Sequence, residues 1–206
     1  MNFLFGLIAL GLIGSGFFSI IAWKFVGIAI AVVFVFWLIG MYNSLVTVTQ
    51  RVKNAWADID VQLKRRYDLI PNLVNTVKGS SNFESSTLEK VVEARSKAMG
   101  AGTTAEHAAA ENMLSGALKS IFALAESYPD LKSNQNYLSL QSELSDTENK
   151  IQAARRFYNS IVMEYNTQIS VVPTNIFAKM FSFGEREFFE LNEGESAARN
   201  PVEVKF

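Results

Sequence analysis

An apolar run at residues 25–41 passes into a helical pattern of apolar and polar positions, with no proline and no pair of glycines between the two. Residues 25–41 are wholly apolar, and residues 25–42 number 18. At ~1.5 Å per residue, this length is just sufficient to cross a hydrocarbon core of ~30 Å. The pattern therefore predicts one long helix from Lys24 to Gly79, with its first half in lipid and its second half in water.

The residues before Lys24 add to the membrane anchor, and their sequence is compatible with three arrangements in the membrane. Residues 3–23 are long enough for a second span that reverses at Trp23 and Lys24, two residue types that anchor at the interface. Alternatively, they lie in the interface or re-enter the membrane beside a single span. In the third arrangement the chain bends at residues 14–16, a helix covers residues 17–41, and Lys24 snorkels or finds a partner. We favour the last two over a second span, and a cleaved signal peptide is disfavoured because the first two residues carry no basic group.

Beyond Tyr42 the apolar residues recur at steps of three and four, which is the spacing of a helix with one buried face. A spacing near 3.5 residues also favours coiled-coil-like packing on near-parallel helices. Pro71 predicts a kink, and Gly79 is expected to end the helix. The stripe consists of Leu45, Val48, Val52, Ala55, Trp56, Ile59, Leu63, Tyr67, Ile70, Val74 and Val77.

Three further amphipathic helices are predicted after a polar loop at residues 80–86. The first covers Thr87–Met99, the second runs from Thr103 or Thr104 to about Ser127, and the third runs from about Ser133 to Ser170. Polar caps, Gly pairs and prolines mark their ends. No segment alternates with the period of a strand, so the fold is predicted to be all-α.

Four segments are predicted from these patterns and from the position of the charged residues. Lys24 is the only charged side chain in the first 41 residues. The aromatic residues up to 190 are expected to fold back onto a surface or to embed in a partner, and the polar end from Leu191 is expected to be poorly ordered. The segments are an apolar extension at 1–24 (second span, re-entrant or interfacial), a transmembrane helix at 25–41, a soluble bundle at 42–173 and a tail at 174–206.

Composition narrows the chemistry that the soluble segment can perform. The net charge of −1 gives no basic face for nucleic acid, and the absence of cysteine excludes disulfides and thiolate chemistry. His107 is the only histidine, which excludes a multi-histidine metal site, and we expect it at the surface. No cofactor, metal site or catalytic residue is predicted.

Several charged residues are predicted to form a structural polar network between helices. Asp60 and Lys64 have the favourable i,i+4 order, whereas Glu148 and Arg155 lie seven residues apart on the apolar stripe of the last long helix. A buried charge that lacks a partner costs several kcal/mol, so these two should meet Arg65 or Arg66 across the helices. The candidate network is therefore Asp60, Lys64, Arg65, Glu148 and Arg155, with Arg66 as the alternative to Arg65.

Five blocks of the sequence, in the same order, closely resemble the LemA family. Residues 1–23 and the loop at 80–86 depart from the family pattern. The resemblance implies an N-terminal transmembrane helix, a soluble antiparallel up-and-down bundle of about four helices, and no established catalytic activity. The blocks are MYNSLV (41–46), AWADIDVQLKRRYDLIPNLVNTVKG (55–79), TLEKVVEARSKA (87–98), YPDLKSNQNYLSLQSELSDTENKIQAARRFYN (128–159) and VMEYNTQIS (162–170).

The function expected from these features is structural. We expect a membrane-anchored scaffolding or protein-interaction protein of the bacterial inner membrane, not an enzyme, that contacts lipid, copies of itself and other envelope proteins. The alternative is a ligand-binding or signalling domain that uses the polar network. Basic residues follow the span from Arg51 to Arg66, while only Lys24 precedes it, so the bundle is expected in the cytoplasm.

Overall fold

A computed structural model describes residues 2–79 and 85–189, and within them the chain is all-α. The described residues contain no strand, which confirms the predicted fold class. The helices are α1 (Asn2–Lys78), α2 (Ser85–Met99), α3 (Thr104–Ala125), α4 (Pro129–Lys132), α5 (Gln135–Ser170) and α6 (Thr174–Met180).

Helix α1 is continuous over 77 residues. It runs without interruption across residues 14–16 and across Trp23 and Lys24, the two positions where the sequence allowed a bend or a reversal. A continuous helix satisfies the backbone polar groups of such an apolar sequence internally. How residues 1–24 sit in a membrane stays a prediction.

Pro71 lies inside α1, and a side chain from α2 compensates for it. Proline has no N–H, so the carbonyl of Tyr67, four residues earlier, loses its helical partner. Arg95 Nε donates a hydrogen bond to that carbonyl oxygen at 2.8 Å. The helix therefore continues past the proline with its freed acceptor satisfied.

The chain divides into an N-terminal unit, Met1–Thr47, and a C-terminal unit, Val48–Phe206. In the N-terminal unit every side chain from Phe25 to Trp37 is exposed, and all of them are apolar. In the described part of the chain, one helical segment is long and apolar enough to cross a membrane, judged by its length and composition.

In the C-terminal unit, α1 and α5 run in opposite directions. Arg51 Nη1 lies 2.6 Å from Glu164 Oε1, and Arg66 Nη1 lies 2.9 Å from Glu148 Oε2. From the first contact to the second, the residue number rises on α1 and falls on α5, so the two helices are antiparallel.

Helix α3 runs parallel to the same part of α1. The rings of Trp56 and His107 are 5.6 Å apart, and Arg66 meets Glu111 further along both helices, ten residues after Trp56 on α1 and four residues after His107 on α3. A four-residue connection from Gly100 to Thr103 joins α2 to α3, which pack against each other. The order α1, α2, α3, α5 is therefore the up-and-down arrangement that the resemblance implies.

The predicted apolar faces form the core of this unit. Every member of the α1 stripe from Val48 to Val77 is buried except Trp56, which is half-buried, and Leu144 of α5 is also buried. Thr103 caps α3 in a capping box with Glu106. The short helix α4, which begins at Pro129, was not predicted.

The segment after α6 folds back along α5, which is one of the two alternatives expected for the tail, although Phe181 and Phe188 are exposed. Asn159 exchanges two hydrogen bonds with the backbone of Phe189, at 2.8 and 3.0 Å, and Asn166 does the same with Arg186, at 2.9 Å each. Phe189 is completely buried. The predicted disorder from Leu191 onward concerns residues outside the described ones.

Candidate functional site

A charged cluster lies inside the C-terminal unit where α1, α3 and α5 meet. Arg66 Nη1 lies 3.1 Å from Glu111 Oε2 and 2.9 Å from Glu148 Oε2, and Arg66 Nη2 donates to Ser115 Oγ at 2.8 Å. The hydroxyl of Tyr67 donates to Glu111 Oε1. We call these five residues the Arg66 cluster.

The helical repeat explains why these side chains point inward. Arg66 follows Leu63 by three residues and precedes Ile70 by four, so it lies on the buried face of α1. Glu111 precedes Leu114 by three residues and Leu118 by seven, which places it on the buried face of α3. Each charge thus sits at a position that the fold buries.

Burial controls the ionisation of the cluster. It raises the pKa of Glu111 above its ordinary value, although the Arg66 guanidinium and the Tyr67 hydroxyl oppose this rise. Burial also raises the pKa of Tyr67, and the hydrogen bond to Glu111 adds to that effect, so Tyr67 stays a neutral donor. Two carboxyl groups and a hydroxyl surround the guanidinium of Arg66.

A cleft of about 230 Å³ reaches this cluster from the surface between α3 and α5. Glu148 is 29% exposed, whereas Arg66 is 3% exposed, so solvent meets the cluster through Glu148. Leu118, Phe122 and Leu144 supply an apolar wall. The arrangement can hold a fixed ion pair and can present one carboxylate beside an apolar surface.

The structure separates most of the residues that the sequence assigned to the network. Asp60, Lys64 and Arg65 are exposed on α1, and Arg65 Nη2 lies 4.0 Å from Glu143 Oε2. Arg155 Cζ lies 4.5 Å from the centre of the Phe189 ring. Glu148 joins the Arg66 cluster.

Arg66, which the sequence offered as the alternative to Arg65, is the arginine that Glu148 meets. Tyr67, Glu111 and Ser115 were missed. Glu111 had a usable signal, because the apolar stripe of α3, extended one step toward the N-terminus from Leu114, falls on it. Ser115 has no comparable signal in the sequence.

A second, larger concavity of about 560 Å³ lies beside the start of α3. Trp56 packs edge-on against His107 and Tyr158, with ring centres 5.6 and 5.4 Å apart. His107 is half-buried, and the expectation of a surface histidine is therefore only partly met. The other lining residues are Val52, Lys53, Gly102, Thr103, Thr104, Glu185, Arg186 and Glu187.

Within residues 2–79 and 85–189, no group of three or more acidic, histidine or cysteine side chains could hold a metal ion. The Arg66 cluster and these two concavities are candidate sites in the described part of the chain. In the smaller cleft, the hydroxyl of Ser115 lies 3.4 Å from both carboxylate oxygens of Glu148.

These features define an all-α helical-bundle protein with a long apolar N-terminal helix. The model of the LemA family matches residues 55–206, and the chain belongs to that family, as the sequence blocks indicated. It is 30% identical over 177 residues to "Protein LemA" of Metamycoplasma hominis, covering 84% of this chain and 80% of that protein.

The chain is also similar to proteins named for the magnetosome. It is 24% identical over 185 residues to "Magnetosome protein MamQ 2" of Paramagnetospirillum magneticum, with 77% of this chain and 68% of the relative covered. "Magnetosome protein MamQ" of Magnetospirillum gryphiswaldense is 23% identical over 184 residues, with the same shares covered.

Proposed function

We propose that this protein is a membrane-anchored scaffold or interaction protein of the bacterial envelope that assembles with copies of itself. Its apolar helix would lie in the inner membrane and its bundle in the cytoplasm. The observation that carries the proposal is the contrast between an apolar helix exposed all round and a bundle whose buried charges are matched within it.

The exposed apolar helix supports membrane anchoring. Residues from Phe25 to Trp37 are apolar and exposed on every side of the helix. Exposed apolar surface costs about 25 cal/mol per Å² in water, and an all-round apolar helix is typical of a membrane span rather than a surface helix. Lipid covers such a helix without any further protein partner.

The matched charges of the Arg66 cluster support a structural role for the bundle. A buried ion that lacks a partner is costly, and here Arg66 has two carboxyl groups and the hydroxyl of Ser115 within reach. Such a network fixes which faces of α1, α3 and α5 meet. A bundle with a fixed register presents a fixed outer surface, which is what a scaffold requires.

Glycines in the apolar helix support self-assembly. A Cβ atom built at Gly27 or at Gly40 meets nothing within 4 Å, so a neighbouring helix can approach the backbone there. Helices in lipid gain no hydrophobic free energy from each other and associate through close packing at small residues. The anchor therefore has the residues that close helix packing uses.

Purification from native membranes tests this function. The full-length chain should stay in the membrane fraction after alkaline carbonate extraction, and in mild detergent its protein mass should correspond to several copies. Recovery in the carbonate supernatant would refute the anchor. A monodisperse monomer that brings no other envelope protein with it would refute the scaffold.

The cleft that Glu148 lines favours a second candidate, a ligand-binding domain. Its apolar wall, beside the charged side chains of Glu148 and Lys119, suits a small amphiphilic molecule. Glu148→Gln keeps the volume of the side chain and removes its charge. A ligand recovered with the native protein and lost from this variant would support the second candidate over the first.

A further inference from the structure

The corner between α5 and α6 lies at the end of the bundle where α1 enters the C-terminal unit. Glu164, six residues before the end of α5, pairs with Arg51, three residues after the start of that unit. Since α5 runs opposite to α1, the residues after Glu164 continue toward the entering end. Residues 171–180, which end with α6, therefore occupy this end of the bundle.

Four large apolar side chains are exposed at this corner. Val171, Val172, Ile176 and Met180, which we call the apolar corner, are between 49% and 77% exposed. Ile176 and Met180 are four residues apart and share one face of α6, whereas Ala178 is buried where α6 packs against α5. The fold thus holds α6 with its apolar face outward.

The charge pattern around the apolar corner is equally unusual. Between Glu164 and Glu185 the chain carries one charged side chain, Lys179, which is exposed on α6 between the outward residues. A surface helix normally turns charged residues outward, and single exposed apolar residues need no explanation. Four together, with a lone cation and no acidic group over twenty residues, indicate a surface that something apolar and anionic covers.

We infer that the apolar corner docks into the headgroup layer of the membrane in which α1 is anchored. The apolar run ends at Met41, seven residues before Val48, and seven residues span at most about 25 Å even when fully extended. The entering end of the bundle is thus tethered close to the bilayer surface. Amphipathic elements with apolar residues on one side and a lysine beside them bind anionic interfaces.

The tether favours lipid over a soluble partner or a second copy as the occupant. A surface held near the bilayer meets it at high effective concentration, so a few side chains suffice where a free protein would need a large interface. This inference rests on the membrane anchor of the proposed function. It adds a second contact, which would fix the bundle against the membrane at α6 as well as at α1.

The absence of cysteine from the natural chain makes a clean test possible. Val171→Cys and Val92→Cys replace the same residue type at 49% and 48% exposure, the first at the apolar corner and the second on α2. Each full-length variant is labelled with an environment-sensitive fluorophore and reconstituted into vesicles that contain anionic lipid and a lipid spin-labelled near its headgroup. Flotation of the vesicles reports insertion separately.

The label at residue 171 should emit at shorter wavelength than the label at residue 92 and should lose emission to the spin-labelled lipid. Lys179→Glu should weaken this quenching. Equal quenching of both labels by aqueous iodide would overturn the inference. Shielding of residue 171 from both iodide and lipid would also overturn it, and would assign the corner to a protein contact. Failure to float would refute the anchor instead, which separates the two proposals.

Discussion

Arg66 and Glu111 form an ion pair in which the two side chains are only 3% and 2% exposed, with Nη1 3.1 Å from Oε2. Replacing Arg66 by Met keeps much of the side-chain length but leaves Glu111 buried beside Glu148 without a cation. We expect Arg66→Met to lower the free energy of unfolding by about 3–5 kcal/mol. Thermal and denaturant melts of the full-length protein in detergent provide the measurement.

The matched control for this change is Arg51→Met. Arg51 also lies on α1 and pairs with a glutamate of α5, but both side chains are about half exposed. Exposed ion pairs contribute about 0–1 kcal/mol, so this variant should melt close to the natural protein. Equal losses in the two variants would contradict a special role for the buried pair.

The pH dependence of the same variants reports on Glu111. Burial holds the pKa of Glu111 above its ordinary value in the folded chain, so its contribution to stability is fully present below the unfolded pKa of ~4.3. That contribution is lost as the pH rises through the folded pKa, because the unfolded chain gives up its proton first. Arg66 opposes the rise in the pKa of Glu111, so removing Arg66 should raise that pKa further. The pH range over which the folded protein loses stability should therefore become wider.

The deficit of Arg66→Met relative to the natural protein should therefore be smallest near pH 4.5 and grow toward neutral pH. Melting curves at several pH values measure it, and Arg51→Met again supplies the baseline. A deficit that stays constant or shrinks as the pH rises would show that Glu111 does not titrate as its burial implies.

Much of this fold follows from the apolar spacing, but the partner of Glu148 does not. Successive residues on a helix are about 100° apart, so Arg65 and Arg66 face different surroundings. The spacing from Leu63 and Ile70 favours Arg66, but only if the position of the buried face around α1 is known to within one residue. Glu111 lies on the buried face of α3, but a buried face that is predicted from apolar residues alone leaves out any charged residue that lies on it. Cross-helix pairing depends on how helices are rotated, which spacing alone leaves open.

For the tail, too, the sequence predicts a feature of the fold but not the contacts that form it. Its aromatic composition predicted that it folds back on a surface or embeds in a partner, and of its aromatic residues Phe189 is buried, whereas Phe181 and Phe188 are exposed. The contacts themselves come from Asn159 and Asn166, seven residues apart on one face of α5, which bind two backbone segments of the tail. From the sequence alone, an asparagine at such a position is expected to face solvent, because the tail segment that it binds is not known.

The hydrogen bond from Arg95 to the carbonyl of Tyr67 should matter only because residue 71 is proline. In the natural protein, Arg95→Met leaves that acceptor without its donor and should cost about 1–3 kcal/mol. In a Pro71→Ala background, the restored N–H can donate to the same carbonyl, so the cost of Arg95→Met should fall below about 1 kcal/mol. A double-mutant cycle of melts measures this coupling, and additive losses would contradict it.

The bundle should lie on the cytoplasmic side of the membrane. Arg51, Lys53 and the run Lys64–Arg66 follow the apolar segment closely, whereas only Lys24 precedes residues 25–41. Positive charge is retained in the cytoplasm when it flanks a span. Fusions at Phe206 to a cytoplasm-dependent and to a periplasm-dependent reporter give the answer, and activity of the periplasmic reporter would reverse the assignment.

Self-assembly should depend on the first 41 residues. These contain six glycines that are interleaved with phenylalanine and isoleucine, so backbones can approach while large side chains fill the grooves. One span is enough for attachment alone, which leaves residues 1–23 free for association. Deleting residues 1–23 should lower the number of copies measured by mass-resolving chromatography in the same detergent.

Gly27→Ile in the full-length chain distinguishes the contribution of the span from that of the extension. A bulky side chain there meets open space within one copy but would separate two packed helices, so it should weaken assembly without lowering the melting temperature of the bundle. Val33→Ile, in the same exposed run, is the control that adds bulk away from glycine. If neither the deletion nor Gly27→Ile changes the number of copies, the contacts between copies lie in the bundle. A monomer at full length would rule out self-assembly.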